Sequence, residues 1–331
     1  MMWSGDGAWT GALRVVGGVI AAALLASCGG GEQVERFHAA RVIAFGDETS
    51  VIEIDHTKYT INSLAAPTTD VPSPTIDCTQ FPIWVQVVAS GYGVPFPQCP
   101  GNATSAPSLI KATANACAVS SSGPACTSAA DVGAQVDNFL LSDSFGGKDL
   151  VTVLAGENDI WALYNQVVAG TLTQGAAESQ AEAAGTALAG VVNRIAQAGG
   201  KVLIATMADQ SLTPAGRGDA ARVASLHQLT ARFNSRLRVG LINDGRMIGL
   251  VLHDESVNSL ANTATFNSTD PACDDAHVDN VRTCTSQTLR VKDGVTASPS
   301  TWLWADRRHL SPAGQSNLGS LALTRASNNP F

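Results

Sequence analysis

Four short runs of uninterrupted apolar residues constrain this chain more than any other feature. They are RVIAFG (41–46), DLVTVLAG (149–156), KVLIATM (201–207) and MIGLVLHD (247–254). None alternates polar with apolar residues, so both faces of each strand must be covered, as in a parallel sheet held between helices. Helical patterns lie between them. SAADVGAQVDNFLLSD opens on Ser128 as a cap, and ESQAEAAGTALAGVVNRIAQAGG stops on Gly199-Gly200. ARVASLHQLTARFNSRLRVGLI follows, and a last helix begins at Ser311-Pro312, where proline suits the first turn. Strand–helix alternation predicts an α/β domain with one parallel sheet, and ligands belong just beyond the carboxyl ends of its strands. No linker or repeat divides residues 41–331, although 95–124 and 261–300 read as irregular insertions. The 45% hydrophobic content suffices for a sizeable core, and the net charge of −8 includes no basic stripe of the kind nucleic acid requires.

Residues 1–27 read as a signal peptide of the lipoprotein type. Arg14 precedes the apolar run Val15–Leu25, which is shorter than the ~20 residues a membrane-spanning helix needs. LASC (25–28) then resembles a bacterial lipobox, in which cleavage leaves Cys28 to carry lipid, and 28–40 reads as a flexible tether. The expected location is the cell envelope, anchored to a membrane through that lipid. A glycine after Cys28 resembles sorting to the outer membrane. Six further cysteines remain: Cys78, Cys99, Cys117, Cys126, Cys273 and Cys284. An even number in an exported chain implies disulfides, for which local pairing (78–99, 117–126, 273–284) is the simplest of 15 connectivities. No C-x-x-C pair suggests zinc instead.

Three segments fall where a parallel sheet places ligand-binding loops: FGDETS after the first run, AGENDIW (155–161) after the second, and WADRRHLSP (304–312) near the C-terminus. Asp306 and His309 are three apart, a spacing that suits one face of a helical turn, and a carboxylate beside an imidazole fixes its tautomer for base catalysis. Asn158 offers a carboxamide of the sort that stabilises an oxyanion. These blocks, in this order, resemble the SGNH or GDSL hydrolases, whose members carry G-D-S-x-S, G-x-N-D and D-x-x-H. KYTIN (58–62), IWVQVVASGYG (83–93), TMADQSLTP (206–214), FNSRL (233–237), FNSTDPAC (266–273) and HLSPAGQ (309–315) resemble the family's lipase-like branch, so the likeness spans about residues 41–325. It implies a three-layer α/β/α sandwich around a flavodoxin-like five-stranded parallel sheet, and an ester substrate handled without metal or organic cofactor. It assigns His309 and Asp306 to the catalytic pair and Asn158 to the oxyanion donor. Gly46 and Asp47 match the turn before the nucleophile, and Gly156 and Asp159 frame the second motif. Ser50 matches the first block's second serine.

The nucleophile's own position holds Glu48. The glycine of the remaining family block, which supplies an oxyanion-hole amide, has no obvious counterpart in ATANACAVSSSG (112–123). Its nearest remnant is NACA, which places Asn115 and Cys117 near the site. Four readings of Glu48 compete. It is a nucleophile, which is poor against esters because a carboxylate leaves more readily than an alkoxide. It or His309 is a general base for water. Ser50 replaces it. Or ester hydrolysis is lost, leaving a binding or structural lipoprotein.

Other clusters have plainer readings. Asp274, Asp275, His277 and Asp279 crowd one cysteine loop as a solvated loop or a cation site. His253 closes a strand beside Asp254 and Glu255, while His38, His56 and His227 carry no supporting pattern. Trp84, Trp161, Trp302 and Trp304 cluster around the motifs as core or as a stacking surface.

Overall fold

The computed structural model describes residues 1–2, 37–67, 73–122, 126, 131–242 and 245–328. The signal-peptide and Cys28 expectations fall outside those residues. Of the stretch 28–40, residues 37–40 already belong to the domain. Ala39 is fully buried, Phe37 meets Tyr92 edge-on at 6.0 Å, and the Ala40 N–H donates to the Lys148 carbonyl. No described helix is long and apolar enough to cross a membrane.

The apolar runs form strands β1 (Arg41–Gly46), β3 (Asp149–Leu154), β4 (Lys201–Ala205) and β5 (Ile248–Val251). The first three are buried almost throughout, as their continuous hydrophobicity requires. A fifth strand, β2 (Leu109–Ile110), lies inside the first insertion, which is therefore not wholly irregular. It pairs parallel to β1 through Ile43 and Ala44. Two residues preceded by Pro107 and Ser108 carry no periodicity, so tertiary pairing alone makes them a strand. The sheet order is β2-β1-β3-β4-β5, all parallel, which is the flavodoxin-like order that the family resemblance implies.

Helices cover both faces. α1 (Trp84–Gly91) and α7 (Pro312–Asn328) pack on each other and on one side, with α6 (His253–Ala261) against α7. On the other side α4 (Gln174–Gln197) packs along α5 (Ala220–Gly240) and touches α2 (Val132–Leu140) and α3 (Glu157–Val168). Three boundaries differ from the sequence reading. Asp131, not Ser128, caps α2, its carboxylate accepting from the Ala134 N–H at 2.7 Å. α4 starts earlier than Glu178, capped by Thr173. His253 opens α6 and does not close β5.

The disulfides join Cys78 to Cys99, Cys117 to Cys126 and Cys273 to Cys284, the local pairing. The last sits in the second insertion, whose Ala272, Cys273, Val281, Cys284 and Ala297 form a small apolar cluster with Ile61 and Ala305. Through Ala272 N–H to Trp304 O and Cys273 N–H to Ala305 O, that insertion braces the segment leading to Asp306.

Candidate functional site

Four loops meet beyond the carboxyl ends of β1, β2 and β3. The first is the turn after β1. Gly46 has φ 130°, and a Cβ there would lie 1.9 Å from the Leu154 carbonyl oxygen, so only glycine fits. Gln135 of α2 clamps the same peptide from both sides, accepting from the Gly46 N–H and donating to its carbonyl, each at 2.9 Å. Asp47 then caps a short 3₁₀ turn, Glu48–Ser50, by accepting from the Thr49 N–H. Glu48 is thereby fixed at the sheet's edge with 3% of its surface exposed.

The second loop follows β3, where Gly156 (φ 132°) sits against the Phe233 ring and opens α3. Glu157, Asn158 and Asp159 occupy its first turn, all buried. The third is the loop after β2, guided by Lys111 and Ala112 N–H donating to the Ala44 carbonyl and Thr113 N–H to Gly46. It carries Asn115 at φ 60°, a left-handed conformation that asparagine tolerates better than other side chains with a Cβ. The fourth, residues 304–310, is not the helical turn suggested by the D-x-x-H spacing. It is a tight loop closed by an antiparallel bridge between Trp304 and Leu310. Asp306 Oδ1 accepts from the Arg308 and His309 N–H groups, which holds the loop's shape.

Glu48, Asn158, Asp306 and His309 converge. Asp306 Oδ2 lies 2.7 Å from His309 Nδ1, and His309 Nε2 lies 3.4 Å from Glu48 Oε1. Glu48 Oε2 accepts from the Asn115 N–H at 2.8 Å and from Asn158 Nδ2 at 3.0 Å. Both of these donors are thus filled by the chain's own carboxylate. Asn115 stands where the family's missing glycine amide was sought. The residue is not glycine, but its backbone N–H faces the site all the same.

Three residues unmarked by the motif reading complete the cluster. Arg308 reaches over it, its Nη2 3.3 Å from Asn158 Oδ1 and 3.8 Å from Glu48 Oε1, and its guanidinium 5.6 Å from the centre of the Trp161 ring. Arg308 Nε is 2.9 Å from Glu157 Oε1, an ion-pair distance, yet that buried oxygen receives no hydrogen bond. Asp47 Oδ2 is likewise buried without a partner. Tyr59 packs its ring 5.9 Å from that of His309. The x positions of G-x-N-D and D-x-x-H hold Glu157 and Arg308, and charged residues at the free positions of these motifs were the available signal.

Burial alone would raise Glu48. The hydrogen bond and charge of His309, with help from its own backbone and Asn158, outweigh it and hold the carboxyl at about 2. Burial would likewise lower His309, but the charge and hydrogen bond of Asp306, then Glu48 and Glu157, push it well above its ordinary range. Asp306 is lowered, because His309 and two backbone N–H groups overcome its burial. Asp47 and Glu157 are both raised, mainly by burial. Neighbouring carboxylates add to the rise at Asp47, while the charges of Arg308 and His309 oppose it at Glu157. At neutral pH the centre is thus an imidazolium held between two carboxylates.

The other candidates lie apart from this centre. Ser50 is fully buried and accepts from the Trp84 indole N–H at 3.0 Å. Asp159 turns to the third loop, its carboxylate accepting from Ala118 N–H, Val119 N–H and the Ser122 hydroxyl. Cys117 is consumed by its disulfide. His277 pairs with Asp274 and His227 with Asp209, each at the surface. Two mainly apolar hollows of about 530 and 630 Å³ flank α1 and the start of α7, and neither is lined by Glu48, Asn158 or His309.

No protein-family model and no curated protein matches the sequence. Among solved structures, the chain is similar to a member of the lipolytic protein G-D-S-L family from Veillonella parvula DSM 2008. That match has 10% identity and a TM-score of 0.42, and covers 86% of this chain and 96% of that one. It is also similar to a variant of an acetyl xylan esterase from Geobacillus stearothermophilus (12% identity, TM-score 0.42, covering 89% and 98%). An extracellular lipase from Streptomyces rimosus is a third (12% identity, TM-score 0.43, covering 87% and 100%). At these values the likeness is a general one, and the chemistry of the site rests on its own residues.

Proposed function

We propose that this chain is an SGNH-type hydrolase scaffold whose ester-cleaving centre is occupied by Glu48, and that it serves as a binding protein of the bacterial envelope, lipid-anchored at Cys28. The observation that carries this reading is the double acceptance by Glu48 Oε2 from Asn115 N–H and Asn158 Nδ2. An ester carbonyl entering the cleft meets an anion where its oxygen needs donors. Hydrolysis also needs a base, and an imidazole pushed well above its ordinary range is protonated at neutral pH. Glu48, held at about 2, is too weak a base to replace it. Loss of a triad serine alone costs ~10⁶-fold, and the remainder of ~10³–10⁴ over water comes from the oxyanion hole and binding. Here the hole is filled as well. The buried hydroxyl of Ser50, bonded to Trp84, supports no substitute nucleophile.

The test is turnover of p-nitrophenyl acetate and butyrate. The unmutated protein is expected to match His309→Ala at background. Glu48→Ser frees both donors and releases His309 from one carboxylate, so it is expected to raise turnover by roughly 10² or more. Turnover by the unmutated protein that His309→Ala abolishes would overturn the proposal.

A further inference from the structure

The replacement of a serine by Glu48 does more than fill a hole; it adds a ligand atom. Glu48, Glu157 and His309 each present one oxygen or nitrogen, and the three lie within 4.8 Å of one another. The separation of Glu48 Oε1 and His309 Nε2, 3.4 Å, is long for a hydrogen bond. It matches the gap of about 3.3 Å between two ligand atoms of one tetrahedral zinc, given metal–ligand distances of about 2.0–2.2 Å. The far side of the imidazole is built for the same purpose. Asp306 Oδ2 holds Nδ1 at 2.7 Å, the carboxylate–histidine arrangement that orients a metal-bound ring and leaves Nε2 facing the ion.

A second observation is a buried carboxylate oxygen whose ion-pair partner is not aligned to donate to it. Glu157 is 94% buried, with 6% of its surface exposed, and its Oε1 receives no hydrogen bond although Arg308 Nε lies 2.9 Å away. Asp47 Oδ2, in the adjoining turn, is buried and unpartnered as well. Four buried carboxyl groups, those of Asp47, Glu48, Glu157 and Asp306, thus crowd two cationic side chains, Arg308 and His309. A buried carboxylate needs pairing, hydrogen bonds or a metal.

We propose that Glu48, Glu157 and His309 bind a divalent transition-metal ion of the zinc class, the ion displacing the Nε2 proton of His309 to solvent and the Arg308 guanidinium from Glu157, with Asp306 orienting the ring. Two carboxylates and one imidazole suit Zn²⁺ better than Mg²⁺, which prefers oxygen ligands and keeps much of its water. The proposal rests on the reading of the cleft as a binding site and names its ligand.

The experiment uses the purified chain from residue 29 onward with its disulfides intact, stripped with chelator and titrated with Zn²⁺ at neutral pH by calorimetry. One equivalent is expected to bind. Glu157→Gln, Glu48→Gln and His309→Gln each are expected to weaken it by about tenfold or more, and Asp306→Asn by about 10–100-fold. His277→Ala is expected to leave it unchanged, which separates this site from the surface Asp274–His277 pair. X-ray absorption on the unmutated, zinc-loaded protein is expected to show an imidazole nitrogen and carboxylate oxygens at about 2.0–2.2 Å, independently of whether any variant folds. Absence of stoichiometric binding, affinity unchanged in Glu157→Gln, or a coordination shell without imidazole would overturn the proposal. Esterase turnover measured without metal addresses the parent reading separately. No zinc and no turnover removes the metal alone, whereas turnover lost in His309→Ala removes the binding-protein reading.

Discussion

At position 48 the difference between a hydroxymethyl and a carboxyethyl side chain decides what the cleft can do. The longer chain carries its oxygen into the donors of Asn115 and Asn158, and the same carboxylate adds to the push of Asp306 that holds His309 well above its ordinary range. The pair has a pH signature. Glu48, lowered to about 2 from 4.5, stabilises the fold fully above about pH 4.5 and loses that contribution as pH falls toward 2. His309, raised above 6.5, contributes fully below about 6.5 and loses it as pH climbs through its folded value. The stability difference between the unmutated protein and Glu48→Gln, read from urea midpoints across pH, is therefore expected to peak between about 4.5 and 6.5. Its size is on the order of 2–3 kcal/mol. A difference that falls neither below about pH 4.5 nor as pH climbs above about 6.5 would contradict the pairing. Asn115 carries a separate prediction. Asn115→Gly keeps the N–H and suits φ 60°, so stability is expected to hold or rise, while Asn115→Ala is expected to cost about 1 kcal/mol.

Among the elements, the third loop sets the donor geometry, and Asp159 holds that loop. Its carboxylate ties down Ala118, Val119 and Ser122, beside the Cys117–Cys126 disulfide. Asp159→Ala is expected to destabilise the protein by about 2–4 kcal/mol, because buried N–H groups lose a charged acceptor. In the Glu48→Ser background it is expected to remove most of the gained esterase activity, since the Asn115 amide is no longer aimed. Retention of that activity would mean the loop is held by the disulfide alone. Elements also differ in how far the chain's letters announce them. β1, β3 and β4 are plain because continuous apolar runs have one economical use. β2 is two residues long and takes its conformation from the edge of β1. The 304–310 loop has helical spacing without helix, because the Trp304–Leu310 bridge and the Asp306 side chain close it first.

At the scale of the molecule, three disulfides among the described residues pin the stretches between the main elements, Cys78–Cys99 as part of the main core and bracketing α1. Each closes a loop of 9 to 21 residues, for which chain entropy gives about 3 kcal/mol. Reduction is expected to lower the urea midpoint by an amount equivalent to several kcal/mol; no shift would mean the insertions contribute nothing to global stability. By itself the sequence determined the α/β class, because continuous apolar runs have one economical use, and its resemblance to a family set the order of the blocks and marked residue 48 as odd. It left 15 cysteine connectivities, of which local pairing was the simplest, and the fold settled that pairing. Only the tertiary structure decided that Glu48 reaches the two donors, that the backbone N–H of Asn115 is one of them, and that Glu157 and Arg308 belong to the centre. Those are relations among residues 48, 115, 157 and 308, and distance in the chain carries no information about which buried charges must share one small volume.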